Sequence, residues 1–187
     1  MIGRVLGIVG ALAGLVVVAA LVLFFAVAKH YRMPSSSMEP TFHCARPAPG
    51  CEASTEDHFI VFTFLGWGRG DIVAFHAPPA AAARCGSAGT FVKRVLAVGG
   101  QTVHEDGRGF IAVDGRRLDE PYIPASNRAR DADFRNKTWR VPPDHYFLVG
   151  DNRGLSCDSR VYGAVAKNAV IGRVFMTYWP LGRLSFR

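Results

Sequence analysis

The stretch TFVKRVLAV (residues 90–98) combines β-branched and aromatic residues with two adjacent positive charges. Short apolar segments of this kind, bounded by glycine or polar residues, are typical of β-strands. Five more segments share its composition: HFIVFTF (58–64), GDIVAF (70–75), GFIAVDG (109–115), HYFLVG (145–150) and VIGRVFMTYW (170–179). We therefore predict a mainly β domain. Strand alternation would turn either Lys93 or Arg94 toward an apolar face, unless both face solvent on an edge strand.

Turn and loop signals separate these segments. The sequence VDGR (113–116) contains an Asp-Gly pair, which readily adopts the positive φ values of a two-residue hairpin turn. The segments HAPPAAAARCGSAG (76–89) and PASNRARDADFRNKT (124–138) lack periodicity, so we predict long loops there. Helix signals after the N-terminal segment are weak.

The N-terminal segment is continuously apolar. Residues 5–28 read VLGIVGALAGLVVVAALVLFFAVA, which is long enough for one helix to cross a bilayer. We predict a single transmembrane helix, with a membrane anchor at 1–28 and a β-rich domain at 29–187. A cleaved secretory signal is the alternative, because Arg4 is positive and Ala26-Val27-Ala28 offers small residues for cleavage. Positive residues on both sides leave the orientation of the helix undecided.

Composition limits the classes of partner. The chain has 187 residues and a net charge of +7, which is compatible with an anionic lipid surface or a basic soluble face. It has no block of lysines and arginines interleaved with aromatic residues. We therefore expect no nucleic acid partner.

Four cysteines give a redox hypothesis. Cys44 and Cys51 are close in sequence, Cys85 and Cys157 are far apart, and none has the CxxC spacing of a zinc site, so we expect no metal. In an exported domain the four could form two disulfides, whereas in the cytosol they would be thiols. Cys44 and Cys51 are candidates for a local bridge.

The sequence MPSSSMEPT (33–41) places three serines directly after the apolar segment. A serine hydroxyl is a poor nucleophile until an adjacent base removes its proton. The six histidines are scattered and no serine lies in a GxSxG elbow, so a histidine triad is not predicted. Lys93, in its apolar strand, is the other candidate base, because burial lowers the pKa of a lysine.

Four motifs in this order resemble the bacterial type I signal peptidases, also called leader peptidases. MPSSSMEPT resembles the serine box of that family, RGDIVAF (69–75) the next strand box, FVKRVLAVGGQTV (91–103) the lysine box and GDNRGLSCDSRVYGAV (150–165) the C-terminal signature. The resemblance implies a Ser-Lys serine endopeptidase with an antiparallel β-sheet peptidase domain and no cofactor. It would remove N-terminal signal peptides from exported preproteins, cutting after a small-x-small motif.

The resemblance also implies partners and a location. The partners would be signal-peptide-bearing preproteins and the lipid bilayer, and the enzyme would act as a monomer. A lysine at position 93 resembles the bacterial and organellar branch of the family. This places the chain in the bacterial cytoplasmic membrane as a single-pass protein, with its catalytic domain on the extracytoplasmic side.

Roles carry over residue by residue. Ser37 matches the nucleophile and Lys93 its general base. The hydroxyl of Ser35 and the backbone N–H of Ser37 would form the oxyanion hole, with Ser36 as a spacer between them. Ser156 matches the serine that hydrogen-bonds the lysine amine and orients it.

Other residues of the same signature would support the site. Asp158 and Arg160 match a bracing pair, and we interpret Asp151, Asn152 and Arg153 as scaffold, with Asp151 and Arg153 forming a turn-stabilising ion pair. The family fold would also bring Cys85 and Cys157 near the active region, which gives a second disulfide hypothesis. VGGQ (98–101) departs from the usual Leu-Pro-Gly-Asp of the family and puts the local backbone path in doubt.

Three questions stay open. The segment FTFLGW (62–67) either dips into the membrane interface or is ordinary β-core and hairpin. The enzyme could be a specialised Ser-Lys peptidase that matures one pilin or conjugation substrate, or the chain could be a non-catalytic single-span β module. A self-cleaving Ser-Lys repressor is disfavoured, because it would need a DNA-binding segment.

Overall fold

The computed structural model describes residues 2–187, without the side chains of residues 2–9, 11, 20 and 23. Its helices are α1 (Ile2–Val27), α2 (Pro79–Cys85), α3 (Ala125–Ala129) and α4 (Ser159–Tyr162). Its strands are β1 (Ala28–Arg32), β2 (His58–Phe62), β3 (Ile72–His76), β4 (Thr90–Val98), β5 (Thr102–Glu105), β6 (Ile111–Val113), β7 (Arg116–Arg117), β8 (Thr138–Arg140), β9 (His145–Val149), β10 (Val165–Ala166), β11 (Val170–Trp179) and β12 (Ser185–Phe186). Single 3-10 turns lie at Ser36–Met38, Lys167–Ala169 and Leu181–Arg183.

The strands form two antiparallel sheets. The larger sheet has the order β1-β2-β11-β3-β4-β9-β10, and β12 pairs with β11. The smaller sheet has the order β7-β6-β5-β8. The prediction of a mainly β, antiparallel domain is therefore confirmed.

The larger sheet is covered on both faces near its centre. Along β3, Ile72 and Ala74 join one hydrophobic core, whereas Val73 and Phe75 join another on the opposite face. This double burial explains why these strands are continuously apolar instead of alternating. A third core lies where β4 and β9 meet the smaller sheet, around Leu96 and other apolar residues.

Strand β4 is an interior strand. Residues 90–94 pair with β3, and residues 94–98 pair with β9. Lys93 and Arg94 are 4% and 9% exposed, so both charges are buried. The alternative of an exposed edge strand is therefore wrong.

Both segments predicted as long loops contain regular structure, so those predictions are partly wrong. Helix α2 lies within residues 76–89; Pro79 begins it and Gly86, at φ 66°, closes it. Proline at the first position and glycine after the last are recognised helix boundaries, but two turns are too short to show a helical period. The second segment contains α3 and the first residue of β8. The predicted hairpin turn is confirmed, with Asp114 at φ 50° and Gly115 at φ 77° between β6 and β7.

The backbone path at residues 98–101 depends on its glycines. Gln101 N–H donates to Val98 O (3.2 Å), and Gly100 has a φ of 87°. A Cβ on Gly99 would lie 2.9 Å from Pro142 O, so a larger residue does not fit there without a shift of backbone. This chain thus has a glycine where the similar sequences usually have a proline, and residues 142–144 approach that glycine closely.

The N-terminal helix α1 ends at Val27, and Ala28 already belongs to β1, where it pairs with Phe62. Residue 1 of the predicted anchor lies outside the described residues. Over residues 2–187, as far as they are described, the structure contains no helix with both the length and the apolar character needed to span a membrane.

The segment at residues 62–67 divides between two environments. Trp67 packs edge-on against Tyr146 (6.4 Å between ring centroids) and contacts the second core, whereas Phe64 is 63% exposed. The indole therefore belongs to the protein interior, and Phe64 is the side chain of this segment that is open to its surroundings.

Candidate active site

The serine segment forms a short turn fixed at both ends. Met33 and Met38 are fully buried in the first core, and Ser36–Met38 makes one 3-10 turn between them. This holds Ser37 half-buried at the surface of the sheet.

Three further hydrogen bonds hold this turn in place. Asn152 donates its backbone N–H to Ser37 O (3.1 Å) and its side-chain amide to Ser36 O (3.0 Å). The buried Ser36 hydroxyl donates to Pro49 O (3.1 Å). Ser36 is thus more than a spacer, because it attaches the serine turn to the loop that follows.

Ser37 and Lys93 lie within hydrogen-bond distance. Lys93 Nζ donates to Ser37 Oγ at 2.6 Å, and Ser35 Oγ lies 3.3 Å from Ser37 Oγ. Across the described residues, no carboxylate comes within ion-pair distance of Lys93. The nearest polar partner of the buried amine is therefore a hydroxyl and not an anion.

Burial shifts the pKa of Lys93 toward neutrality. Loss of hydration lowers the pKa from 10.5 to about 8, and the more distant carboxylates of Asp158 and Asp151 oppose this shift only in part. A neutral amine is then available near physiological pH. A general base requires such a group within reach of the proton that it removes.

Arg94, the next residue on β4, is paired instead. Its guanidinium donates to both carboxylate oxygens of Asp151, Nε to Oδ1 at 2.9 Å and Nη2 to Oδ2 at 2.6 Å. The predicted ion pair between Asp151 and Arg153 is therefore wrong. Arg153 is fully buried, and its guanidinium reaches Glu120, whereas the Asp151 carboxylate faces β4.

Asp158 and Arg160 form a double hydrogen bond that begins α4. Asp158 Oδ1 accepts from the Arg160 backbone N–H (3.1 Å), and Oδ2 accepts from Gly150 N–H (3.1 Å) and Arg160 Nη2 (2.8 Å). Arg160 also donates to Arg153 O and to the Asp131 carboxylate. Burial alone would raise the pKa of Asp158, but Arg160 holds it below its usual value. These contacts connect the start of the signature segment to the beginning of α4.

Ser156 is buried beside the serine turn at Ser36–Met38. A Cβ added to Gly150 would collide with both the Ser156 side chain and Ser37 O, which shows how closely the three residues approach. The Ser156 hydroxyl has no hydrogen-bond partner within the described part of the chain. The expected hydrogen bond to the Lys93 amine is not made in this structure.

Both cysteine pairs are bonded. The Cys44–Cys51 disulfide lies in the first core, on the loop that accepts the Ser36 hydrogen bond. The Cys85–Cys157 disulfide connects the end of α2 to the residue after Ser156, with 6.0 Å between the Cα atoms.

An open cleft of about 450 Å³ contains the Ser37 and Lys93 side chains. Residues 31–37 form one wall, and residues 90–93 of β4 form the other. Residues 90–93 pair with β3 on one side only, because β9 begins its pairing at Arg94. The unpaired edge of β4 therefore borders the cleft, and an extended peptide could hydrogen-bond to it.

The sequence interpretation missed several residues around the site. The sequence indicated that Arg94 is unusual, since it is the second charge in an apolar strand. Nothing in the sequence indicated that it pairs with Asp151. The sequence interpretation also gave no role to Glu120, which accepts from Arg153 and Arg128. Glu105 and Asp131, which lie near Arg160, come from distant segments and had no sequence signal.

Comparisons with known proteins identify the family of this chain. The model of the family "Signal peptidase, peptidase S26" matches residues 6–179. A signal peptidase I of Leptolyngbya laminosa is 34% identical over 177 residues, covering 92% of this chain and 79% of the relative. A signal peptidase I of Mycobacterium tuberculosis is 32% identical over 219 residues, covering 92% of this chain and 72% of the relative.

A solved structure is also similar. A signal peptidase I from Enterococcus faecalis V583 has a TM-score of 0.49 and 27% identity, covering 58% of this chain and 97% of that one. The family match includes the serine turn, the lysine strand and the signature segment that surround the cleft. This chain therefore belongs to the signal peptidase family, peptidase S26, and is a serine endopeptidase.

Proposed function

We propose that this chain is a membrane-anchored signal peptidase that removes N-terminal signal peptides from exported preproteins by a Ser37 and Lys93 dyad. One observation carries the dyad: Lys93 Nζ lies 2.6 Å from Ser37 Oγ, and this buried amine has no counter-ion among the described residues. Such an amine loses its proton more readily than an exposed lysine, and its position allows it to accept the serine proton.

The chemistry is acyl transfer at a peptide bond. Ser37 Oγ attacks the substrate carbonyl carbon while neutral Lys93 takes the hydroxyl proton. The protonated amine then gives that proton to the leaving nitrogen, and the C–N bond breaks to leave an acyl-serine. Lys93 next activates a water that hydrolyses the ester and restores Ser37. The Ser35 hydroxyl and the Ser37 backbone N–H would stabilise the oxyanion.

The cleft supports an extended substrate. The unpaired edge at residues 90–93 offers backbone hydrogen bonds, and a peptide on that edge would pass beside Ser37. Cleavage after a small-x-small motif fits shallow apolar pockets on such an edge. No cofactor takes part in the proposed reaction.

The anchor is part of the proposal. Residues 5–28 have no charge, and among the described side chains along α1, Leu15, Val16 and Phe25 are more than 60% exposed. A bilayer would cover this apolar surface. The boundary would lie near residue 28, with the catalytic domain at 29–187 on the extracytoplasmic side of a bacterial cytoplasmic membrane. An oxidising compartment also suits the two disulfides.

Retention of the anchor is favoured over its removal. Ala28, the end of the small-residue site, is 4% exposed and paired with Phe62 in the larger sheet. A peptidase needs its substrate extended and free, so this site is protected by the fold. We expect the purified protein to keep its first 28 residues.

Cleavage of a preprotein by the full-length chain in detergent, mapped by mass spectrometry, tests the proposal. We expect a cut after a small-x-small site, which is lost in Ser37→Ala and Lys93→Ala. A panel of preproteins separates a general enzyme from one that matures a single substrate. If the wild type cuts none of them, or if Lys93→Ala still cuts, the proposed function is wrong.

A further inference from the structure

The cleft has two different halves, which β4 separates. Val92 points to the first core and lines the cleft together with Met33 and Phe59. Its neighbours Phe91 and Lys93 point to the opposite face, where Phe91 packs against the second core. This division follows from strand alternation. We call the side of the cleft lined by Val92 the valine half and the side lined by Phe91 and Lys93 the disulfide half.

The disulfide half is named for its wall, the Cys85–Cys157 bridge. Both cysteines line the cleft, are half-buried, and pack against the same core as Phe91. The short exposed residues Ser87 and Ala88 continue this wall toward solvent. The half is thus apolar at its base and open at its rim.

A bound peptide would sample both halves in turn. In an extended chain the residues one and three before the cut share a face, and the residue between them faces the other way. The valine half is filled by buried Met33 and Phe59, so it leaves space only for small side chains. The two small residues would occupy that half, and the middle residue would then face the disulfide half.

We infer that the Cys85–Cys157 disulfide determines specificity for the middle residue of the cleaved motif, where it favours an uncharged, apolar side chain. This inference rests on the proposed function and extends it to a second subsite. The bridge and the Phe91 ring offer no strong hydrogen-bond group, and the Lys93 amine on the same face is already hydrogen-bonded to Ser37. A charged side chain placed against the bridge and the ring would therefore lose hydration without compensation. A leucine would instead bury apolar area against the sulfur atoms and the ring.

The test uses a peptide series with a fixed cleavage site and alanine, leucine, aspartate or lysine as the middle residue. The wild type is compared with the double variant Cys85→Ala/Cys157→Ala by kcat/KM. The matched control is Cys44→Ala/Cys51→Ala, since that bridge lies outside the cleft. We expect the wild type to prefer leucine to aspartate and lysine by roughly tenfold. The cleft variant should reduce this preference to about twofold or less, and the control should keep it.

Two results would overturn the inference. One is an unchanged leucine preference in the folded cleft variant; the other is an equal loss of that preference in the control variant Cys44→Ala/Cys51→Ala. If the cleft variant does not fold, Ser87→Asp keeps the bridge and gives the decision: it should favour lysine over aspartate at the middle position, and an unchanged ratio would contradict the assignment. A wild type that cuts no peptide and no preprotein would overturn the proposed function itself.

Discussion

Lys93 and Arg94 are adjacent residues on one interior strand, and both are buried, yet their surroundings differ. Arg94 donates to both oxygens of Asp151, whereas Lys93 donates to the Ser37 hydroxyl and to no carboxylate in the described part of the chain. Burial alone would lower the pKa of either side chain. For Arg94, the hydrogen bonds and charge of Asp151 raise the pKa above its ordinary value, but for Lys93 the pKa falls to about 8.

Both side chains are buried, so burial does not distinguish them. The comparison shows that a carboxylate partner keeps a buried side chain charged and structural, whereas a buried amine without such a partner can exchange its proton. A buried cation with a paired carboxylate stays charged and fixes two segments relative to each other. A buried cation without one is unstable in its charged form and can exchange a proton. The strand therefore places a paired charge on one face and, on the other, the amine that we propose as the general base.

The largest expected effect is that of replacing Lys93 by arginine, the residue type found at position 94. Lys93→Arg should lower kcat/KM by about 10⁴-fold, because a guanidinium does not lose its proton at accessible pH. Steady-state cleavage of a mapped peptide measures this. As a control, Lys93→Met should be equally inactive. Activity above about a tenth of the wild type in Lys93→Arg would contradict a proton-accepting role.

The same two positions should respond oppositely in stability. A pKa lowered from 10.5 to about 8 means that burying Lys93 costs on the order of 3 kcal/mol at pH 7, so Lys93→Met should stabilise the fold by up to that amount. Arg94→Met leaves Asp151 buried and unpaired, and should destabilise the fold by roughly 3–5 kcal/mol. Urea unfolding of the catalytic domain in the full-length protein measures both.

The pH dependence gives a further check on this pair. Between pH 8 and 10.5 the unfolded chain holds a proton on Lys93 that the folded chain lacks, so the stability of the wild type should rise with pH across this window. Lys93→Met should not show that rise.

The exposed pair of Arg32 and Glu56 gives a matched control for the stability comparison, since Glu56→Gln should change stability by at most about 1 kcal/mol. Equal destabilisation by Lys93→Met and Arg94→Met would refute the comparison.

Much of this arrangement was predictable from the residues. Apolar β-branched segments predicted six strands of the sheets, and the Asp-Gly pair predicted the turn between β6 and β7. Motifs resembling those of a known family brought Ser37 and Lys93 forward as the dyad. A hydroxyl and a lysine in an apolar strand are recognisable because their chemistry is unusual in those positions.

The ion-pair partners were not predictable. Asp151 and Arg153 are two residues apart and of opposite charge, which suggested a local pair, but each finds its partner in a distant segment. Such pairing depends on which way each side chain points from a turn, and sequence spacing does not contain that information. The short helix α2 was missed for a different reason, since two turns show no helical period.

A smaller effect concerns Ser156, whose buried hydroxyl has no partner in the described structure. We expect it to orient the Lys93 amine once substrate is bound, so Ser156→Ala should lower kcat by roughly tenfold with little change in KM. Its stability should stay the same or rise slightly, because the variant removes an unsatisfied polar group. A loss of stability without a loss of kcat would make Ser156 a structural residue only.

The most direct test of the central claim, that neutral Lys93 is the general base, is the pH profile of kcat/KM for a cleaved peptide. Burial lowers the pKa of Lys93 to about 8, so activity should rise with pH and reach half of its plateau near that value. The profile of Ser156→Ala should keep a rising limb, with its midpoint displaced if Ser156 orients the amine. A wild-type profile that is flat between pH 6 and 10, or one with its midpoint near the ordinary histidine pKa of about 6.5, would contradict the account.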